Sequence, residues 1–108
     1  MKTYRDILFE SVNLKALERE ALQILKDLNQ RPVGKQFPED QRGWEITKTL
    51  HNGKPSLRIE WVAYKQYNEI EKAKQNKRDF FAVAYKKWKD VVEFQDSQYS
   101  IDIILVPK

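Results

Sequence analysis

Cationic and aromatic side chains are concentrated in residues 65–89, the segment best suited to binding a charged partner. It contains eight lysines or arginines against three acids, a net charge of +5, whereas the whole chain carries +4 and the remainder therefore −1. The cations are Lys65, Lys72, Lys74, Lys77, Arg78, Lys86, Lys87 and Lys89. Because cations contact phosphates and aromatic rings stack on bases, the segment favours binding of nucleic acid or of a nucleoprotein.

The cations do not form a single row on the helix that this segment predicts. At about 100° per residue, Lys72 and Lys86 fall near one angle, Arg78 and Lys89 near a second, and Lys87 elsewhere. Cations that wrap the polar half of a helix are commonly just a solvated face. That is the alternative explanation of the local charge.

Acidic, basic and imidazole groups also share the polar face of a predicted hairpin at residues 43–64. A small basic ribonuclease would need such groups around one phosphate, within hydrogen-bond reach. Arg58 is predicted to lie opposite Thr47, four residues from His51, which is about 13 Å along a strand. Glu60 is farther still, so this hairpin alone does not bring an acid and a base to one phosphate. A small basic ribonuclease therefore remains the less favoured hypothesis.

A like-charge pair marks a possible contact surface on the same face. Glu45 and Glu60 are predicted to be opposed, which is mildly destabilising unless a positive charge lies across them. That charge is either a cation of the same fold or a basic partner surface. Glu45, Arg58 and Glu60 are therefore the candidate residues for binding a protein partner.

Several kinds of site are not predicted at all. The chain has no cysteine and a single histidine, and its three glycines are scattered, so no thiolate nucleophile, clustered metal site or phosphate-binding loop is expected. We predict no catalytic residue, no metal and no cofactor. The charged N-terminus and the lack of a long apolar run favour a cytoplasmic protein without a membrane partner.

Two kinds of binding protein fit these observations. The first is a small non-enzymatic binding or regulatory protein that contacts nucleic acid or a nucleoprotein through residues 65–89. The second is an inhibitor or antitoxin-like accessory factor that acts by occluding a protein partner, because three tryptophans, five tyrosines and five phenylalanines suit a protein interface. The same aromatics are equally expected in a core. The oligomeric state is left open.

The elements that must position these residues start with the hairpin. Asn52-Gly53 suits a type I′ turn, and alternating apolar residues flank it on both sides. The two-residue loop fixes a register in which Trp44 opposes Trp61 and Ile46 opposes Ile59. Both pairs are predicted at sites without ladder hydrogen bonds, as is Pro55, whose missing N–H then costs nothing.

Two helical patterns flank the hairpin. Apolar residues at helical spacing predict a helix from Asn13, as N-cap, to about residue 29, where Pro32 stops it. Residues 4–9 fit either a short helix or a strand. The second pattern covers residues 66–89, where apolar residues that include Phe81 and Tyr85 share one arc, interrupted by Lys74 and Lys77. It is one helix, or two that meet near Asn76, and the segment 80–85 could less readily form a strand.

The remaining segments complete an α+β domain. Residues 31–42 are a predicted loop, with Val33 and Phe37 as anchors to the core. Residues 91–94 form a short strand and 99–106 a central or doubly covered one. We predict a single domain over 1–108, with an antiparallel sheet of three or four strands. Two main helices pack on one face of this sheet, in the order α-β-β-α-(β)-β.

Overall fold

The structure, a computed structural model, describes residues 4–33, 43–62, 67–97 and 100–108. Two helices and four strands follow one another along the chain in the predicted order. They are α1 (Tyr4–Asp27), β1 (Gly43–His51), β2 (Lys54–Val62), α2 (Tyr67–Trp88), β3 (Val92–Asp96) and β4 (Asp102–Pro107). The four strands form one antiparallel sheet in the order β1-β2-β4-β3. The predicted α+β fold is confirmed.

The hairpin has the predicted turn and register. Asn52 and Gly53 both have positive φ, 51° and 81°, as a type I′ turn requires. His51 faces Lys54 across the turn, and Trp44 faces Trp61 farther along the ladder. The twist of this turn matches the twist of the strands, so one dipeptide sets the alignment of nine residues on each side.

Helix α1 begins earlier than the sequence indicates. It runs without a break from Tyr4, so the prediction of an N-cap at Asn13 is wrong, and so is a strand over residues 4–9. Asparagine is a favoured cap but is also tolerated in a helix interior at a cost of a few tenths of a kcal/mol. The end is close to the prediction: Asn29 adopts φ 57°, and the Gln30 N–H donates to the Leu25 carbonyl at 2.9 Å. These features define a Schellman C-cap.

Helix α2 is one helix, not two. It passes through Asn76 without interruption and includes residues 80–85, so the alternatives of a break at Asn76 and of a strand over 80–85 are both wrong. The helix packs antiparallel to α1. Trp88 Nε1–H donates to the Glu20 carboxylate at 2.9 Å, while Gln30 Nε2–H donates to the Asn76 carbonyl at 3.0 Å.

The two C-terminal strands are shifted slightly from their predicted bounds. The predicted strand over 91–94 lies at Val92–Asp96, and the predicted strand over 99–106 lies at Asp102–Pro107. Strand β4 is central, between β2 and β3, as its two apolar faces predict. Pro107 is paired with Val92, and because proline lacks an N–H, this pair must be a non-hydrogen-bonded one.

The core lies between both helices and one face of the sheet. Its buried members come from α1, α2 and the three strands β2, β3 and β4. They are Leu17, Ala21, Ile24, Leu25, Leu57, Ile59, Trp61, Ala73, Phe80, Ala84, Trp88, Val92, Ile103 and Leu105. Trp61 and Phe80 are the largest fully buried side chains, and their ring centroids are 5.4 Å apart. Trp61 therefore sits at the centre of the interior.

The start of the connection between α1 and β1 adds a short bridge to the edge of the sheet. Pro32 pairs in parallel with Trp44; the Trp44 N–H donates to the Arg31 carbonyl at 3.1 Å, and the Val33 N–H donates to the Trp44 carbonyl at 3.0 Å. Val33 is half-buried. The rest of the predicted loop, including the predicted anchor Phe37, lies outside the described residues.

Gly43 is required by this bridge. It has φ 141°, and a Cβ there would lie 2.3 Å from the Arg31 carbonyl oxygen. We expect Gly43→Ala to lower the free energy of unfolding by about 2–3 kcal/mol, from backbone strain and from displacement of the bridge. Gly53→Ala is the control: its φ is also positive but nothing lies within 4 Å of the added Cβ, so about 1 kcal/mol is expected. Equal losses in urea titrations would contradict the role of the bridge.

No helix in the described part of the chain is long and apolar enough to cross a membrane.

Candidate functional site

The cations of α2 occupy different environments, and Lys77 is the most distinct. It is 3% exposed. Its Nζ donates to Asp96 Oδ1 at 2.8 Å and to the carbonyls of Ser97 and Ser100 at 2.6 and 2.7 Å. All three acceptors belong to the connection between β3 and β4 or to its borders. Lys77 therefore stabilises this turn from within and presents no charge to a partner.

Two further lysines of α2 face carboxylates. Lys87 Nζ is 3.9 Å from Glu20 of α1, and Lys74 Nζ is 3.9 Å from Glu71, one turn before it. Contacts this long at the surface contribute little to stability. They leave both ammonium groups available, with their charge partly compensated.

Apart from Lys87, the exposed cations of the described part of the basic segment are Lys72, Arg78, Lys86 and Lys89. Within the described residues, no carboxylate lies at ion-pair distance from any of them. Arg78 donates Nε–H to the Lys74 carbonyl at 3.3 Å, which holds the stem of its side chain along the helix. Lys65, the remaining predicted cation, lies outside the described residues.

These four cations and the partly exposed Lys74 lie on two flanks of α2. Taking about 100° per residue, Lys74, Arg78 and Lys89 fall within an arc of roughly 60°. Lys72 and Lys86 lie on the other flank, about 110° away. Lys89 follows the last residue of α2 but continues its turn, because its N–H donates to the Tyr85 carbonyl at 2.9 Å. One flank therefore carries three cations in a row.

Aromatic rings accompany that row. Phe81 and Tyr85 stack at a centroid distance of 5.5 Å and an interplanar angle of 27°. Phe94 of β3 contacts both, at 5.4 Å from Phe81 and 5.8 Å from Tyr85. Tyr85 is 48% exposed, and the other two are half-buried. We call these three rings the aromatic cluster, and together with Lys74, Arg78 and Lys89 they form the aromatic–basic stripe.

The sequence predicted stacking surfaces within residues 65–89 but did not identify the rings of the aromatic cluster. Phe81 and Tyr85 belong to the apolar arc of the helix, which the pattern assigns to the core. Their positions at the margin of that arc indicate, in the sequence, that these rings could be partly exposed. Nothing in the sequence indicates the position of Phe94, since its contact with α2 depends on β3 lying at the sheet edge beside that helix.

The polar face of the hairpin is occupied by an internal ion-pair network. Arg58 bonds to Glu60, and its Nε–H donates to Asp102 of β4 at 2.9 Å. The hydrogen bond to Asp102, followed by that to Glu60, raises the pKa of Arg58 above its usual value, against the lowering effect of burial. The positive charge beside the opposed Glu45 and Glu60 thus comes from the same fold.

This arrangement bears on the two hypotheses for the hairpin. Of the three residues predicted to bind a protein partner, Arg58 and Glu60 are already bonded to each other, and Glu45 is exposed. For a ribonuclease, the register leaves Arg58 opposite Thr47, four residues from His51. His51 is half-buried beside the turn, and the described residues contain no cluster of groups suited to a metal ion.

A cleft of about 490 Å³ opens between the end of α1 and the start of β1. Its lining includes Trp44, Lys26 and Arg31. The Trp44 indole N–H donates to the Gln30 carbonyl at 2.9 Å, and both ends of the Gln30 carboxamide are bonded to Trp61 and Asn76. The cleft therefore offers a ligand two exposed cations but no unpaired buried group.

Comparison of the chain with protein families, curated proteins and solved structures finds no match. The function is therefore argued from the chemistry of the aromatic–basic stripe.

Proposed function

We propose that this protein is a non-enzymatic binder of single-stranded nucleic acid, free or in a nucleoprotein, and that it binds through the aromatic–basic stripe. The observation that supports the proposal best is that Tyr85, the exposed ring of the aromatic cluster, lies in line with cations on one flank of α2. Exposed rings accept stacked bases, and neighbouring cations contact the phosphates that join those bases.

The length of the stripe suits a short run of nucleotides. Lys74 and Lys89 are separated by about 22 Å along the helix at 1.5 Å per residue. At roughly 3.4 Å per stacked nucleotide, this corresponds to about six nucleotides. Tyr85 lies between the cations, so that a strand following the helix would pass over the ring.

The rings favour single strands over duplexes. In a duplex the bases are already stacked on one another, so an aromatic side chain gains a base only where the strand is unpaired. Three phosphate contacts are also few for duplex binding, in which the backbone supplies most of the affinity. We therefore expect weak affinity that depends on salt and little preference for sequence.

Charge reversal on the two flanks of α2 tests the proposal. We expect Arg78→Glu with Lys89→Glu to lower affinity for a labelled single-stranded 12-mer at least about tenfold, because two phosphate contacts become repulsive. Fluorescence anisotropy at several salt concentrations measures this. The slope of log K against log salt should be about −2 for the original protein, from three contacts at about 0.7 each, and should fall in magnitude to about 0.7 or less in the variant, which retains Lys74 alone.

Lys72→Glu with Lys86→Glu is the matched control, since it makes the same change in net charge at two exposed positions on the other flank. It should retain most of the affinity and the slope. If both double variants lose affinity equally, binding reflects net charge and not the stripe. If the unchanged protein binds no single strand at low salt, the proposal is wrong.

The hypothesis of a regulator that occludes a protein partner predicts a different result. Affinity purification would then recover one stoichiometric protein, and nuclease treatment would leave that association intact. Charge reversal at Arg78 and Lys89 would not be expected to separate the two proteins unless the partner also contacts the stripe.

A further inference from the structure

Strand β3 lies at the edge of the sheet, and its outward backbone groups can be identified. Pro107 pairs with Val92 and has no N–H, so Val92 does not exchange hydrogen bonds with β4. The Lys108 N–H donates to the Val91 carbonyl at 2.9 Å. This bond fixes which residues of β3 bond to β4 and which point outward. The N–H and C=O groups of Val92, Phe94 and Asp96 therefore point away from the sheet.

These outward groups have no strand partner within the described residues. Edge strands are commonly protected by proline, by charged side chains, by a bulge or by being very short. Strand β3 has five residues without lysine or proline, and its pairing with β4 is continuous from Val92 to Asp96. Of its two acids, Asp96 is bonded to Lys77 and Glu93 accepts a hydrogen bond from Gln95. The strand is flanked by exposed apolar surface, since Val91 is 57% and Tyr85 48% exposed. The edge is thus a template for another strand.

The sequence of β3 can pair antiparallel with itself without opposing like charges. In an antiparallel pair of two β3 strands centred on Phe94, Val92 faces Asp96 of the second copy, and Glu93 faces Gln95 of the second copy. No two like charges are opposed. Gln95 Nε2–H already donates to Glu93 Oε1 at 2.8 Å within the chain. In the pair of strands, which a two-fold axis relates, the Gln95 amide of one copy would likewise face the Glu93 carboxylate of the other.

The side chains on the helix side of the sheet also match across this axis. Phe94 would lie beside Phe94 of the second copy, so that the two aromatic clusters become continuous. Adjacent aromatic pairs across strands add to stability beyond their buried area. Tyr85 lies about 100° around α2 from the buried stripe, which leaves its ring accessible along the helix.

We propose that the chain self-associates as a two-fold dimer through β3, with roughly six backbone hydrogen bonds joining the two four-stranded sheets into one. The occupant of the edge is a second copy because the strand can satisfy its outward hydrogen bonds with itself, pairs Glu93 with Gln95 and opposes no two like charges. This dimer goes beyond nucleic-acid binding and does not depend on it.

Sedimentation analysis over a range of concentrations, without nucleic acid, tests the dimer. We expect a species of twice the 12.9 kDa chain mass at high concentration. Gln95→Glu should raise the dimer dissociation constant about tenfold, because two symmetry-related carboxylate pairs replace two hydrogen bonds. Gln95→Lys should lower it, since each new ammonium group faces Glu93 of the second copy.

Thr47→Glu is the control, because it adds the same charge on the same face of the sheet at the opposite edge strand. It should leave the dissociation constant unchanged. Amide hydrogen exchange gives a second measurement: Phe94 and Asp96 should gain protection as the concentration rises. A monomer at every concentration tested would overturn the proposal. So would equal effects of glutamate and lysine at Gln95, or an edge that binds only an unrelated extended peptide.

Discussion

Replacing Trp61 with alanine is expected to lower the free energy of unfolding by about 3–5 kcal/mol. The side chain is 1% exposed and packs against Phe80, so its removal leaves a cavity between the sheet and both helices. Its indole N–H also donates to Gln30 Oε1 at 2.6 Å. Chemical denaturation followed by circular dichroism measures the loss.

Two controls separate the parts of this effect. Trp61→Phe retains most of the volume and removes the hydrogen bond, so it should cost about 1–2 kcal/mol. Leu50→Ala, at a side chain 70% exposed on the neighbouring strand, should cost less than about 0.5 kcal/mol. If Trp61→Ala costs under about 1 kcal/mol, the ring is not in the interior, and the assignment of the two sheet faces is wrong.

Lys77→Ala is expected to cost about 2–4 kcal/mol, although it removes a lysine from a basic helix. The substitution leaves Asp96 and two carbonyls without their shared donor, and unpaired groups at a buried site are costly. Because Asp96 is itself partly exposed, the loss should fall short of that for a fully buried ion pair. Thermal or urea unfolding measures it.

Lys77→Met isolates the contribution of the ammonium group and its hydrogen bonds, since methionine keeps most of the length and volume of the side chain. It should still destabilise the protein, by about 1–3 kcal/mol, whereas Arg78→Met at the next, exposed position should change stability by less than about 0.5 kcal/mol. The binding measurements should give the reverse ranking, with Arg78→Met weakening nucleic-acid binding and Lys77→Met leaving it intact. The opposite ranking in binding would place Lys77 at the surface.

Local chemistry made the hairpin predictable. Asn52-Gly53 selects one turn type, and this turn fixes the register through to the Trp44–Trp61 pair, so short-range information was sufficient. The end of α1 was predictable for the same reason, because Pro32 restricts the residue before it. The start of α1 was not, since an asparagine that can cap a helix can also lie inside one.

The features that depend on tertiary contacts could not be predicted. The order β1-β2-β4-β3 places Asp102 beside Arg58, 44 residues away in the sequence, and the packing of β3 against α2 places Phe94 beside Tyr85. Lys77 interrupts the apolar arc of α2, which was visible in the pattern, but its acceptors come from another part of the chain. Charge counting therefore located the basic segment without distinguishing its buried lysine from its exposed cations.

The position of Tyr85 is the feature on which the proposed function depends most. This ring is exposed in the aromatic cluster and lies between Arg78 and Lys89 on the same flank of α2. Val83 offers a matched comparison, because it is 42% exposed on the other flank of the same helix. Truncation of either side chain to alanine should change stability little, which thermal unfolding would verify before any binding measurement.

The affinity of Tyr85→Ala for a single-stranded 12-mer, compared with those of the unchanged protein and Val83→Ala, is the most direct measurement. Loss of one stacked base should raise the dissociation constant of Tyr85→Ala by about 5- to 150-fold, equivalent to about 1–3 kcal/mol. Val83→Ala should bind as the unchanged protein does. Equal affinities for all three proteins would contradict a nucleic-acid site at the aromatic–basic stripe.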